Sequence, residues 1–87
     1  MASYKIEFSN SIEKDFSKLD KNISKKVWSK IDELADNPLP LNNKKLSGTN
    51  FHRIRIGDYR VIYEINSKSK TITILRAKHR KEVYRDL

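Results

Sequence analysis

The sequence predicts a single α+β domain spanning residues 1–87, with elements in the order β-α-α-β-β-β. Two observations predict this class. Apolar residues recur at helical spacing between residues 12 and 34, whereas apolar and polar residues alternate with a period of two after residue 50. We therefore expect a small, largely antiparallel sheet with a two-helix hairpin packed on one face.

The first forty residues supply one strand and two helices. Tyr4 to Phe8 alternates between apolar and charged residues, as a half-buried strand does. Asp20 is the expected N-cap of the second helix, and Asn37-Pro38-Leu39-Pro40 ends it because proline lacks an amide donor. We expect Trp28 to be buried. The apolar stripe of the helices consists of Ile12, Phe16, Leu19, Ile23, Val27, Ile31 and Leu34.

Residues 51–65 predict a β-hairpin that turns at Gly57-Asp58. If Ile56 pairs with Tyr59, Arg55 lies opposite Arg60. Alternation then places Arg53, Arg55 and Arg60 on one face, and a set of apolar residues on the other: Ile54, Ile56, Tyr59, Val61, Tyr63 and Ile65. Like charges directly across a strand pair are destabilising, so the three arginines are candidates for a function.

A further strand is predicted from residue 71, after the polar turn of residues 66–70. With a four-residue loop, Ile65 pairs with Ile72 and Tyr63 with Ile74. The same register places Ala77 opposite Arg60, and His79 on the arginine face. Lys44-Lys45-Leu46 is a candidate short extended segment, and residues 82–87 form a short tail with one possible helical turn.

The net charge of +8 is concentrated in the second part of the chain. Residues 1–50 hold nine lysines against seven acids, whereas residues 51–87 hold six arginines and four lysines against four acids. All six arginines lie in that second part, and phosphate recognition is the commonest reason for a forked guanidinium. The distribution favours a nucleic-acid partner over charge that serves solubility alone.

Several classes of function are excluded or disfavoured by composition. The chain has no cysteine and only two histidines, His52 and His79, so no metal site or disulfide is predicted. No Gly-rich phosphate loop or nucleophile elbow occurs, and no cofactor is expected. No apolar run could span a bilayer and Met1 to Tyr4 does not begin a signal peptide, so we expect a cytoplasmic protein without a membrane partner.

The arginine face, joined by Lys78, His79, Arg80 and Tyr84, contains the groups that metal-independent RNA cleavage requires. The ribose 2′-hydroxyl attacks the adjacent phosphate, guanidinium groups stabilise the charge that develops, and an acid protonates the leaving 5′-oxygen. Arg53, Arg55 and Arg60 suit phosphate binding because arginine stays protonated. His79 and Tyr84 suit proton transfer, although a surface histidine and a packed tail residue are equally compatible with their spacing.

Three segments resemble the RelE/ParE superfamily of toxins from type II toxin–antitoxin systems: residues 45–48 (KLSG), residues 51–63 (FHRIRIGDYRVIY) and residues 79–84 (HRKEVY). The resemblance covers almost the whole chain and implies the RelE-like fold. It also implies an endoribonuclease, or mRNA interferase, that cleaves mRNA in the ribosomal A site and so inhibits translation.

The resemblance assigns roles to individual residues. Arg55, Arg60, His79 and Tyr84 are implied as catalytic residues, with Arg53, Lys78, Arg80 and Lys45 binding the substrate. RelE has lysines where Arg53 and Arg55 stand, and its late arginine corresponds to Lys78. Relatives with a late histidine use it in cleavage, so His79 is preferred as acid or base with Lys78 in support.

Partners follow from the same resemblance. It implies a cognate acidic, RelB-like antitoxin that covers the basic face, in addition to mRNA and the ribosome. Such complexes bind promoter DNA through the antitoxin, so this chain would contact DNA only indirectly. Two alternatives stay open: a ParE-like toxin that poisons DNA gyrase, and a basic RNA-binding module without catalysis.

Overall fold

The computed structural model describes residues 3–41 and 43–79, which form a mixed α+β domain with two helices and one five-stranded sheet. The elements are strand β1 (Lys5–Phe8), helix α1 (Ile12–Ser17), helix α2 (Lys21–Asp36), and strands β2 (Lys44–Lys45), β3 (Phe51–Ile56), β4 (Tyr59–Asn66) and β5 (Thr71–His79). The predicted fold class and element order are confirmed, with the short extended segment forming β2. The possible helical turn of the tail lies outside the described residues.

The sheet has the strand order β1-β5-β4-β3-β2. Strands β2 to β5 pair antiparallel with their neighbours, whereas β1 pairs parallel with β5 at one edge. The helices connect β1 to β2 and so carry the chain from one edge of the sheet to the other. This leaves β3, β4 and β5, the strands with the predicted site residues, next to one another in the sheet.

The two helices pack on one face of the sheet, as the apolar stripe predicts. Asp20 caps α2, and its Oδ1 accepts a hydrogen bond of 2.8 Å from the Ile23 amide. The core joins three types of element: helical residues Ile12, Val27, Ile31 and Leu34, hairpin residues Ile54, Ile56, Val61 and Tyr63, and β5 residues Ile72, Ile74 and Ala77. Burial of each large apolar side chain contributes about 1.5–3 kcal/mol, so this contact is the main source of stability.

Trp28 is not buried as predicted, because it lies at the side of α2 instead of facing the sheet. It is 41% exposed and stacks on Phe16 with ring centroids 5.0 Å apart. Phe8, also 41% exposed, packs its ring edge-on against Trp28 at 5.3 Å. The three rings form an aromatic cluster between β1, α1 and α2. No helix in the described part of the chain is long and apolar enough to cross a membrane.

Candidate functional site

The β3–β4 hairpin has the predicted register. Gly57 takes a positive φ of 60°, which a hairpin turn with glycine in first position requires. Ile56 therefore pairs with Tyr59, Arg55 with Arg60 and Ile54 with Val61. Arg55 and Arg60 lie side by side on the face opposite the helices, and Arg53 shares that face two residues along β3.

Strand β5 contains an irregularity that the sequence-based register did not include. Tyr63 pairs with Ile74 as predicted, but the next pair is Ile62 with Arg76, so Leu75 has no partner in β4. Such a β-bulge moves every later residue of the strand to the opposite face. The predicted position of Ala77 opposite Arg60 is therefore wrong. Ala77 pairs with Val61 and is buried in the core.

Contacts from the first part of the chain hold the bulge. The Ser9 hydroxyl donates to the Leu75 carbonyl at 3.0 Å. Two residues on, the Asp15 carboxylate accepts a hydrogen bond of 3.0 Å from the Ala77 amide. Strand β1 pairs only with Thr71 to Ile74, so the Ala77 amide has no partner in β1. The Asp15 carboxylate takes the place of a strand carbonyl as the acceptor for this amide.

The bulge brings Lys78 opposite Arg60. Arg55, Arg60 and Lys78 thus occupy adjacent positions on three neighbouring strands, and we call these three residues the cation row. Neighbouring strands lie about 4.8 Å apart, so the three side chains project from neighbouring positions on one face. The adjacent row of paired positions contains Lys44, Arg53, Ile62 and Arg76, of which Lys44 was not among the predicted site residues.

Arg60 lies at the centre of the cation row and is only 8% exposed. Its Nη1 donates to the Tyr59 carbonyl at 3.2 Å, whereas Arg55 is exposed and its Nε lies 3.5 Å from the Gly57 carbonyl. None of the carboxylates in the described part of the chain forms an ion pair with Arg60. A guanidinium with so little exposure is costly to bury, and a bound anion would offset this cost.

Arg76 has a structural partner. Its Nε donates to Asp15 Oδ2 at 3.0 Å, and its Nη2 lies 3.4 Å from Oδ1. Asp15 is 3% exposed, so this is a largely buried ion pair. Arg76 therefore connects β5 to α1 and is not reserved for phosphate.

His79 does not lie on the arginine face, and that prediction is wrong. It pairs with Tyr59, whose side chain belongs to the helix-facing side of the sheet, because the bulge reverses the alternation after Leu75. The His79 and Tyr59 rings are 5.4 Å apart and edge-to-face. Together with Lys18 they line a small cavity of about 50 Å³ beside α1.

Lys45 also lies on the helix-facing side, since it pairs with His52. His52 Nδ1 lies 2.9 Å from Asn43 Oδ1, and its ring stacks on Tyr63. Burial and, to a lesser extent, the charge of Lys45 lower the pKa of His52. On the opposite face, the β2 residue beside Arg53 is Lys44 and not Lys45.

The remaining predicted site residues, Arg80 and Tyr84, lie outside the described residues. Within the described ranges, no group of three His, Asp or Glu side chains could hold a metal ion. The structure thus brings together Arg53, Arg55, Arg60 and Lys78 on one face. It separates them from His79 and Lys45.

Comparison with known proteins gives a consistent family assignment. Residues 6–84 match the family model described as "ParE toxin of type II toxin-antitoxin system, parDE". Toxin RelE3 of Methanocaldococcus jannaschii is 35% identical over 85 residues, which cover 92% of this chain and 94% of that protein. Toxin RelG of Mycobacterium tuberculosis is 31% identical, with 94% and 97% of the two chains covered.

Solved structures share the fold over most of the chain. The archaeal RelE–RelB complex from Pyrococcus horikoshii OT3 contains a chain with a TM-score of 0.80 and 34% identity, covering 90% of this chain and 96% of that one. The RelB–RelE complex from Methanococcus jannaschii gives a TM-score of 0.77 and 32% identity, with 93% and 98% covered. Isolated E. coli RelE, at 18% identity and a TM-score of 0.78 with 98% and 100% covered, shares the fold.

Proposed function

Because the chain belongs to the RelE/ParE superfamily of type II toxin–antitoxin toxins, we propose that it is an endoribonuclease that cleaves mRNA on the ribosome. The observation that carries this proposal is the cation row, in which Arg60 is buried between Arg55 and Lys78. A phosphate bound there would gain charge-assisted hydrogen bonds from forked guanidinium groups.

In this mechanism the ribose 2′-hydroxyl attacks the neighbouring phosphorus, the bond from phosphorus to the 5′-oxygen breaks, and a cyclic phosphate remains. Arg55 and Arg60 stabilise the negative charge that develops on the non-bridging oxygens. Arg53 and Arg80 bind flanking phosphates. DNA lacks the 2′-hydroxyl and is not a substrate of this reaction.

The proton transfers are assigned to Lys78 and Tyr84. Lys78 is favoured over His79 because it lies opposite Arg60, whereas His79 faces the helices. As an ammonium group it can protonate the leaving 5′-oxygen at the end of the row. Tyr84, as a phenolate, is the proposed group that receives the proton of the 2′-hydroxyl.

The proposed partner in the cell is an acidic antitoxin that covers the cation row. Its support is the net charge of +8, together with relatives solved as RelE–RelB complexes. An antitoxin that neutralised this charge would block access of RNA to the row. An enzyme of this kind would work in the cytoplasm, where ribosomes are, and any contact with promoter DNA would run through the antitoxin.

The test incubates the purified chain with an mRNA, with and without ribosomes, and maps the 5′ ends that form. We expect discrete cleavage when ribosomes are present. Lys78→Gln should slow cleavage about tenfold or more, and His79→Gln, its matched neighbour on the other face, much less. Full activity of Lys78→Gln together with an inactive His79→Gln would contradict the assignment of the acid.

A ParE-like toxin is the second candidate, because the matching family model is described as a ParE toxin. The same preparation is therefore assayed for inhibition of DNA gyrase supercoiling. Inhibition of gyrase without any mRNA cleavage would refute the proposed nuclease. Binding of RNA without cleavage or gyrase inhibition would support the third alternative, a basic RNA-binding module without catalysis.

A further inference from the structure

The charges of helix α2 are arranged against its dipole. Apart from the N-cap Asp20, its first turn holds no acidic residue, and its last turn holds no basic one. The N-terminal end of a helix carries partial positive charge, so the opposite arrangement would be stabilising. Lysines occur in its first half and carboxylates towards its end: Lys21, Lys25 and Lys26, then Asp32, Glu33 and Asp36. The lysines in the first half of α2 therefore gain no stabilisation from the helix dipole.

Some of these lysines line a groove between α2 and the β3–β4 turn, which we call the α2 groove. Its volume is about 420 Å³. One wall carries the α2 side chains and the other the end of the hairpin: Lys25, Lys26, Ser29 and Lys30, then Arg55, Ile56 and Gly57. Arg55, whose position in β3 is on the face opposite the helices, borders the groove at the hairpin end.

We propose that the α2 groove binds the phosphate backbone of double-stranded RNA. This inference rests on the proposed function, because it assigns the groove to binding of the RNA that the nuclease acts on. A structured RNA segment docks in the groove while the cation row acts on a single strand. The three exposed lysines of the α2 wall can contact phosphates. Lysine ammonium groups suit such sequence-independent contacts because they act as mobile point charges.

The lining of the groove favours a nucleic acid over an acidic peptide. Protein interfaces are enriched in aromatic residues and depleted of lysine, whereas interfaces with nucleic acid are polar and strongly positive. Among the described residues that line the groove, Ile56 is the only large apolar one, and it is 6% exposed. The exposed aromatic residues Phe8 and Trp28 lie in the aromatic cluster beside β1.

The same lining favours a duplex over a single strand. Single-stranded RNA is held by aromatic side chains on which its bases stack, and no aromatic residue is among the described residues that line the groove. Double-stranded RNA is recognised mostly by shape and through its phosphates and 2′-hydroxyls. Phosphates of a duplex are therefore the ligand that fits a groove of lysines and one arginine.

The experiment measures binding of a fluorescein-labelled RNA duplex of about 20 base pairs by anisotropy over a series of KCl concentrations. The groove variant is Lys25→Gln/Lys26→Gln/Lys30→Gln. The control Lys5→Gln/Lys14→Gln/Lys68→Gln removes the same charge from exposed lysines elsewhere. We expect the groove variant to bind about tenfold or more weakly near physiological salt, with a salt slope smaller by about 2 to 3, and the control to stay within about twofold of wild type.

Thermal unfolding gives a second readout. The groove variant should unfold close to wild type, because its three lysines are exposed and an exposed ion pair such as Lys30–Glu33 contributes little to stability. A weakened duplex affinity in a variant of undiminished stability would support the groove as a binding surface and exclude misfolding as the cause.

Equal losses in both variants would overturn the proposal in favour of general charge attraction. Undiminished duplex binding by the groove variant would also overturn it. Binding of polyglutamate is measured in parallel, and a variant that loses affinity for polyglutamate alone would show that the groove recognises carboxylates. Cleavage is not needed for this assay. Groove-dependent duplex binding by a chain that never cuts mRNA would therefore refute the nuclease and leave the groove supported.

Discussion

The buried ion pair between Asp15 and Arg76 gives the most quantitative prediction, and the perturbation is Asp15→Asn. The wild-type carboxylate is 3% exposed and accepts from Arg76 Nε at 3.0 Å, from Arg76 Nη2 at 3.4 Å and from the Ala77 amide at 3.0 Å. Asparagine keeps one acceptor for the Ala77 amide but loses the charge that faces the guanidinium.

The magnitude follows from those contacts. Breaking a buried pair costs about 3–5 kcal/mol. The Arg76 side chain is 31% exposed and can recover part of its hydration, so we expect about 2–3 kcal/mol for Asp15→Asn. For a domain of this size, such a loss lowers the Tm by about 10–20 °C. The double variant Asp15→Asn/Arg76→Met should lose less unfolding free energy than the two single variants lose in total, by about 1 kcal/mol or more.

The assay is urea unfolding followed by tryptophan fluorescence, since Trp28 packs beside α1 on Phe16. All four proteins of the double-mutant cycle are measured at one pH. A loss below about 0.5 kcal/mol for Asp15→Asn, or strict additivity in the double variant, would refute the conclusion that this pair fixes the end of β5.

Three further predictions concern the hairpin and its surroundings. Tyr63→Phe should lose about 1 kcal/mol, because the phenol donates to the Pro38 carbonyl at 2.7 Å. Burial raises the pKa of Tyr63 to about 12, so wild type should lose stability relative to this variant as the pH rises from about 10 to 12, measured by urea unfolding. The pKa of His52 is lowered, so its contribution to the free energy of unfolding is complete above about pH 6.5 and is lost as the pH falls. Between pH 7.5 and pH 5, His52→Gln should therefore lose less unfolding free energy than wild type. Equal losses in the two proteins would contradict the lowered pKa. Gly57→Ala should lower the free energy of unfolding by about 1–2 kcal/mol, because the φ of Gly57 is 60°. The cost comes from the backbone conformation and not from a clash, since nothing lies within 4 Å of an added Cβ. An unchanged Tm would show that the turn relaxes.

The hairpin and the packing of the helices were predictable because their determinants are local. Gly57-Asp58 fixes the register of β3 and β4, and the polar turn of residues 66–70 fixes the pairing of Ile65 with Ile72. The spacing of apolar residues in α1 and α2 gives the face that packs on the sheet. These features depend on periodicity and turn length, which can be read directly from the chain.

The placement of the later site residues was not predictable by the same means. The bulge at Leu75 depends on Ser9 and Asp15, which lie 66 and 60 positions away in sequence. Its only sequence signal is Leu75 itself, an apolar residue directly after Ile74 that breaks the alternation. Without the bulge, His79 falls on the arginine face. With it, Lys78 does.

The proposed binding of the scissile phosphate by the cation row is tested by the single-turnover rate of ribosome-dependent mRNA cleavage by Arg60→Gln. Thermal unfolding of the variant checks that this change of a residue only 8% exposed leaves the domain folded. The account predicts a loss of about 100-fold or more, as for removal of one donor to a developing oxyanion. A folded Arg60→Gln that cleaves at the wild-type rate would contradict it.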